Sequence, residues 1–158
     1  MSVTGGDKLL ERLNELNTLD GVQVTVGLQG QGGAPGGEDD ATLVRIGRAH
    51  ELGLGVPQRP FLRTALSRGR TKWTRMLRAP VRALANDRPT LANQLLRALG
   101  VTMVGDTQRT IVSGPWTPNA PETIERKKSA RPLIDSGQMR QSIRATVDLP
   151  DSTPELVG

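Results

Sequence analysis

The spacing of apolar positions changes period several times along the chain. Between Asp7 and Asn17, Leu9, Leu10, Leu13 and Leu16 recur at helical spacing, with Glu11, Arg12 and Glu15 between them. That spacing predicts an amphipathic helix. Asp20-Gly21 is a turn signal. Residues 22–28 (Val-Gln-Val-Thr-Val-Gly-Leu) alternate apolar and polar, as a half-buried strand does. Residues 29–40 are rich in glycine and end in Glu38-Asp39-Asp40. A segment of that composition cannot build a core and is expected to be a mobile loop. Asp39 or Asp40 is suited to cap the next helix, whose buried face is marked by Leu43, Ile46 and Ala49, and Gly53 and Gly55 stop it.

The middle of the chain is predicted to be mainly helical. Residues 56–60 (Val-Pro-Gln-Arg-Pro) read as extended, because each proline pushes its predecessor out of the helical region. Pro60 suits the first position of a helix carrying Phe61, Leu62, Ala65 and Leu66. Gly69 is a potential interruption. The pattern resumes at Trp73, Met76 and Leu77, and Pro80 is expected to kink or end it. Pro89 starts a second long helix, with Asp87 as its expected cap. Leu91, Leu95, Leu99, Val101, Met103 and Val104 line it as far as about residue 111. Residues 116–130 read as an ordered loop with a helical turn near 122–127. Residues 138–142 read as another helical turn and 143–147 as a final strand. The tail from residue 148 holds two prolines and three acids and is expected to be loosely held. The resulting fold class is α+β: a small, mostly antiparallel sheet packed against a long helix, with additional helices and long loops. It forms one domain over residues 1–147, followed by a short acidic tail over 148–158.

Composition narrows the core and the chemistry. The 158 residues suit one domain. Only Phe61, Trp73 and Trp116 are aromatic, so the core is mostly aliphatic. No apolar run approaches the ~18 residues of a membrane span, so no membrane contact is expected. The first residues lack the charged-then-apolar pattern of a secretory signal. There is no cysteine and one histidine, His50, which leaves the usual zinc sites and nucleophile–base pairs without their parts. After the last glycine of the Gly-rich segment come three acids, where a phosphate-binding loop needs Lys and Ser/Thr. Leu133-Ile134-Asp135-Ser136-Gly137 resembles the active-site triplet of retroviral-type aspartic proteases. That chemistry needs two such carboxyls in a β-rich body. Here polar and basic residues follow, so Asp135 and Gly137 are read as turn-forming. No enzyme and no cofactor are expected.

The formal charge of +5 is unevenly spread. Residues 1–58 carry four basic and eight acidic groups, residues 59–146 carry seventeen basic and five acidic, and residues 147–158 add three acids. Such asymmetry fits contact with a polyanion or an acidic protein surface; a solvated Arg-rich face is the plain alternative. Arg68, Arg70, Lys72, Arg75 and Arg78 crowd around Trp73 and are the candidate contacts to DNA or an acidic partner.

Two segments together resemble a known family. The first is Ile46-Gly47-Arg48-Ala49-His50-Glu51-Leu52-Gly53, followed by Val56-Pro57-Gln58-Arg59-Pro60-Phe61-Leu62-Arg63. The second is Gly114-Pro115-Trp116-Thr117-Pro118, then Thr123-Ile124-Glu125-Arg126-Lys127-Lys128, then Pro132-Leu133-Ile134-Asp135-Ser136-Gly137-Gln138-Met139-Arg140-Gln141-Ser142-Ile143. These resemble the virion-morphogenesis, tail-completion and neck proteins of tailed bacteriophages. Many relatives place the Asp-Ser/Thr-Gly element first; here it comes second.

The resemblance implies a non-enzymatic virion protein, assembled as a homo-oligomeric ring, commonly six-fold, between the capsid connector and the tail tube. The implied partners are other copies of the chain, connector or adaptor proteins, and tail-tube or terminator proteins, with the DNA end in the channel. The implied location is the virion neck, reached from the host cytoplasm. His50, Glu51, Arg59, Phe61, Arg63, Trp116, Asp135 and Arg140 are its motif or interface residues, and Pro57 and Pro60 would hold His50 and Glu51 near the surface. A tail-terminator ring subunit and a small basic DNA-binding or packaging accessory protein remain the alternatives.

Overall fold

The structure is a computed structural model, and it describes residues 21–28, 40–127, 132–133, 137–149 and 154–158. The expected helix over 7–17, the loop over 29–39, the Asp39 cap and Asp135 lie outside those residues. Along the chain come β1 (Gln23–Leu28), α1 (Asp40–Leu52), α2 (Phe61–Ala85), α3 (Pro89–Ser113), α4 (Pro121–Lys127), α5 (Gln138–Gln141), β2 (Ile143–Asp148) and β3 (Glu155–Val157). The sheet is antiparallel in the order β1-β2-β3. The long helix α3 packs against it, as the α+β reading expected. Among the described residues, no helix is long and apolar enough to cross a membrane.

Register and pleat explain which face of the sheet is buried. Val24 pairs with Val147 and Val26 with Ala145, so apolar positions of β1 and β2 share one face. Ile143, Ala145 and Val147 are buried there, while Arg144, Thr146 and Asp148 between them are not. The buried face meets α3, whose Leu96, Val104 and Ile111 join the same cluster as Phe61, Leu43 and Met139. Gly100 allows close approach: a Cβ there would stand 2.7 Å from Val157 Cγ2 and 3.2 Å from Ala145 Cβ. A second apolar face of α3, Leu99 and Met103, packs on Ala65 and Trp73 of α2. Helix α3 thus packs on both the sheet and α2, and α2 reaches the sheet as well, since Val24 and Val26 of β1 pack on the same Ala65–Trp73 cluster. Leu91 and Val101, expected on the inner face of α3, are exposed because that helix is covered on only two sides.

Four local expectations are corrected. Helix α2 runs unbroken through Gly69 and Pro80. Gly69 is a seat for the Trp73 indole, since a Cβ there would lie 2.3 Å from Trp73 Cε2. Pro80 is buried within the helix, so packing outweighs its missing N–H. Asp87 does not cap α3: it takes a left-handed φ of 53°, and Arg88 occupies the cap position. The acidic tail is not wholly loose. Glu155–Val157 forms β3 against β2, and Val157 is buried over α3. A three-residue strand is too short to show a period in the sequence.

Candidate functional site: a buried clasp and a basic helix

The loop between α1 and α2 is tied down at both ends by backbone hydrogen bonds. The N–H groups of Gly53 and Leu54 both donate to Ala49 O, at 2.8 and 2.9 Å, closing the end of α1. Gly53 and Gly55 take φ of 75° and 71°, which favour glycine. The chain then turns back, and Arg59 N–H donates to His50 O at 2.8 Å. Between these ties the loop displays Leu52, Leu54 and Val56, which are 48%, 56% and 36% exposed.

Glu51 joins the two helices. Its carboxylate accepts from the backbone N–H of Leu62 at 2.9 Å and of Arg63 at 3.1 Å, in the first turn of α2. Pro60, the residue at the α2 cap position, offers no side-chain cap. Glu51 therefore performs that task from the preceding helix, and its negative charge suits the positive end of the α2 dipole. Arg63 Nε completes the site with an ion pair to Glu51 Oε1 at 3.0 Å. Glu51 is buried rather than held at the surface, because all these donors converge on it.

Arg59 ties this corner to the segment after α3. Its guanidinium donates to Thr117 O through Nε (3.0 Å) and Nη2 (2.8 Å), to Pro118 O (3.2 Å) and to Asn119 Oδ1 (3.0 Å). His50 Nδ1 lies 3.4 Å from Arg59 Nη1. Arg59 is only 3% exposed, and its burial lowers its pKa from the ordinary arginine value. Trp116 Nε1 donates to Ile111 O at 2.8 Å, anchoring the same segment to α3. The His-Glu, Arg-Pro-Phe and Trp-Thr-Pro segments, distant in sequence, are thus one hydrogen-bonded clasp. Phe61 is 0% exposed and anchors the core beside it. Glu51, Arg59 and Phe61 face inward, so they hold the fold together rather than form a surface. Arg140 is exposed on α5.

The basic segment divides into two flanks of α2. Arg68 and Lys72 line a groove of about 300 Å³ between α2 and α3, with Asp106 and Arg109 opposite. Arg75 and Arg82 follow Arg68 at seven-residue steps, which keeps them on nearly the same line of the helix. Arg70 lies on the other flank, with the exposed apolar side chains of Leu66 and Leu77.

Asp106 is a residue that the sequence pattern did not single out. It accepts from Trp73 Nε1 at 2.8 Å and pairs with Lys72 at 2.6 Å and with Arg109. Partial burial pushes its carboxyl pKa up. The hydrogen bonds from Lys72, Trp73 and Arg109 and the Lys72 charge outweigh that, so the net direction is below the ordinary carboxylate value. The signal was present: Asp106 is the one acid in the 25 residues of α3. The roles of Thr117 and Asn119 as acceptors were likewise missed: Thr117 accepts through its backbone carbonyl, which leaves no mark in side-chain pattern, and the partner of the Asn119 amide is 60 residues away. Among the described residues, no group of three or more His, Cys, Asp or Glu is placed to hold a metal ion. No protein family, no curated protein and no solved structure matches the chain.

Proposed function

We propose that the chain is a structural subunit of the neck of a tailed bacteriophage, a tail-completion protein that assembles as a ring and joins the tail tube to the head connector. One observation carries the reading. Three of the segments behind the resemblance, around Glu51, Arg59 and Trp116, meet in a single clasp, as parts of one shared folding unit would. The clasp uses its charged groups internally. Both oxygens of the Glu51 carboxylate and all three nitrogens of the Arg59 guanidinium are engaged by the protein itself.

The tied-down loop beside the clasp fits assembly. Leu52, Leu54 and Val56 project apolar surface from a backbone held at both ends, which limits the ordering entropy of a contact. A ring needs two different patches that meet head to tail on neighbouring subunits. The test is native mass spectrometry with negative-stain imaging of the full chain, alongside Leu54→Asp. A closed ring that Leu54→Asp disperses, with unchanged melting, supports the reading. A monomer at every accessible concentration, absent from purified virions, overturns it.

A further inference from the structure

We infer that the outer line of α2 is a binding surface for the phosphate backbone of duplex DNA. Arg68, Arg75 and Arg82 stand at seven-residue steps, so the line they mark runs about 21 Å at 1.5 Å per residue. Arg78 lies beside it and Lys72 on the groove side. The guanidinium groups of Arg68, Arg75, Arg78 and Arg82 are exposed, and none has an ion pair or hydrogen bond among the described residues. That separates them from Arg59, Arg63, Arg97 and Arg109, which the protein itself engages.

The groove at one end of the line extends the positive surface onto α3. Arg68, Lys72 and Arg109 there face one carboxylate, Asp106, so positive charge remains in excess. Hydroxyls accompany the arginines, with Ser67 and Thr71 exposed on α2. Backbone recognition uses these groups: cations for the phosphate charge, hydroxyls as hydrogen-bond donors. A protein partner fits the line less well. Protein interfaces place apolar and aromatic side chains at their centre. The large exposed apolar residues of α2, Leu66, Leu77 and Val81, lie off the arginine line. Contacts of this kind to phosphate fix position and carry no sequence information themselves.

The inference stands apart from the ring proposal, and the experiment reads them separately. Binding of the full chain to a short labelled DNA duplex is followed by fluorescence anisotropy between about 50 and 200 mM salt, the range over which phosphate binding weakens strongly. The variants are the triple Arg68→Gln/Arg75→Gln/Arg82→Gln and, as control, Arg70→Gln on the other flank. Removing one arginine–phosphate pair should flatten the slope of log K against log salt by about 0.9. The triple variant should therefore flatten it by about 2 to 3 and the control by clearly less, with melting unchanged in both. Equal slopes in wild type and triple variant overturn the inference, as does absence of binding at the lowest salt. Loss of self-association in the triple variant with DNA affinity intact, read by native mass spectrometry, would assign the line to a protein neighbour and also overturn it.

Discussion

Replacing Arg59 by Ala removes the tie between the α1–α2 corner and residues 117–119. Four hydrogen bonds to that segment disappear, two to Thr117 O, one to Pro118 O and one to Asn119 Oδ1, and with them the one between Nη1 and His50 Nδ1. Hydrogen bonds involving a charged group are worth about 1.5–3 kcal/mol each, but such values do not add within one side chain. Thr117 and Pro118 are exposed, so their carbonyls regain water after truncation, which lowers the loss. The buried stem of Arg59 leaves a void, which raises it. The balance is a destabilisation of about 2–4 kcal/mol. Urea unfolding followed by far-UV circular dichroism measures it, and Trp116 emission reports the loosened segment. Arg59→Lys keeps a charge but loses the planar fork that reaches several acceptors together, so most of the loss should persist. Should Arg59→Ala unfold within about 0.5 kcal/mol of wild type, the clasp would be an incidental pairing of the surface kind.

Three further outcomes follow from the packing and charge. Gly69→Ala should lower the melting temperature, with overpacking against the Trp73 ring of about 1–3 kcal/mol outweighing the gain of about 1 kcal/mol in helix propensity; a rise in melting temperature would show that the indole does not lie over Gly69. The Asp106 carboxyl is held below its ordinary value, so its contribution to stability is present above that value and is lost as pH falls through the lower, folded-state value. Asp106→Asn should flatten the acid limb of the stability curve, and a limb identical to wild type would contradict the pairing with Lys72 and Arg109. Val157→Asp places a carboxylate against Gly100 in the buried layer between β3 and α3, and should destabilise by about 2–4 kcal/mol while speeding hydrogen exchange at the β2 amides that face β3; unchanged exchange would mean that β3 does not pair in solution.

Among the described residues, the elements with a sustained period were legible in the sequence. The alternation over 22–28 is β1, the apolar spacing after Pro89 is α3, and the small sheet on a long helix was anticipated. What escaped it depends on partners distant in sequence. Gly69 and Pro80 are breakers by local chemistry, and only the burial of Trp73 and Pro80 in the finished helix shows why α2 continues. Glu51 is the sharpest case. It stands in the last turn of α1, where the helix dipole disfavours an anion. The same carboxylate faces the first turn of α2, where the dipole favours it. The sequence shows the unfavourable neighbour and hides the favourable one.

The arginines follow the same logic and explain why net charge is a poor guide to this chain. Arg59 and Arg63 belong to the motif that resembles a family, yet they act within the fold. One is buried against backbone carbonyls, and the other closes the Glu51 site. Arg97 pairs with Glu155 at 2.9 Å and so ties α3 to the short strand β3. Arg109 shares Asp106 with Lys72 and Trp73. Each of these cations is matched by an acceptor that the fold brings to it. The line from Arg68 to Arg82 is not matched in this way among the described residues, and it contains no large exposed apolar residue around which a dry interface could form. The chain therefore has two separable surfaces. A tied-down apolar loop at Leu52, Leu54 and Val56 suits contact with protein, and a straight polar and cationic helix edge suits a solvated polyanion.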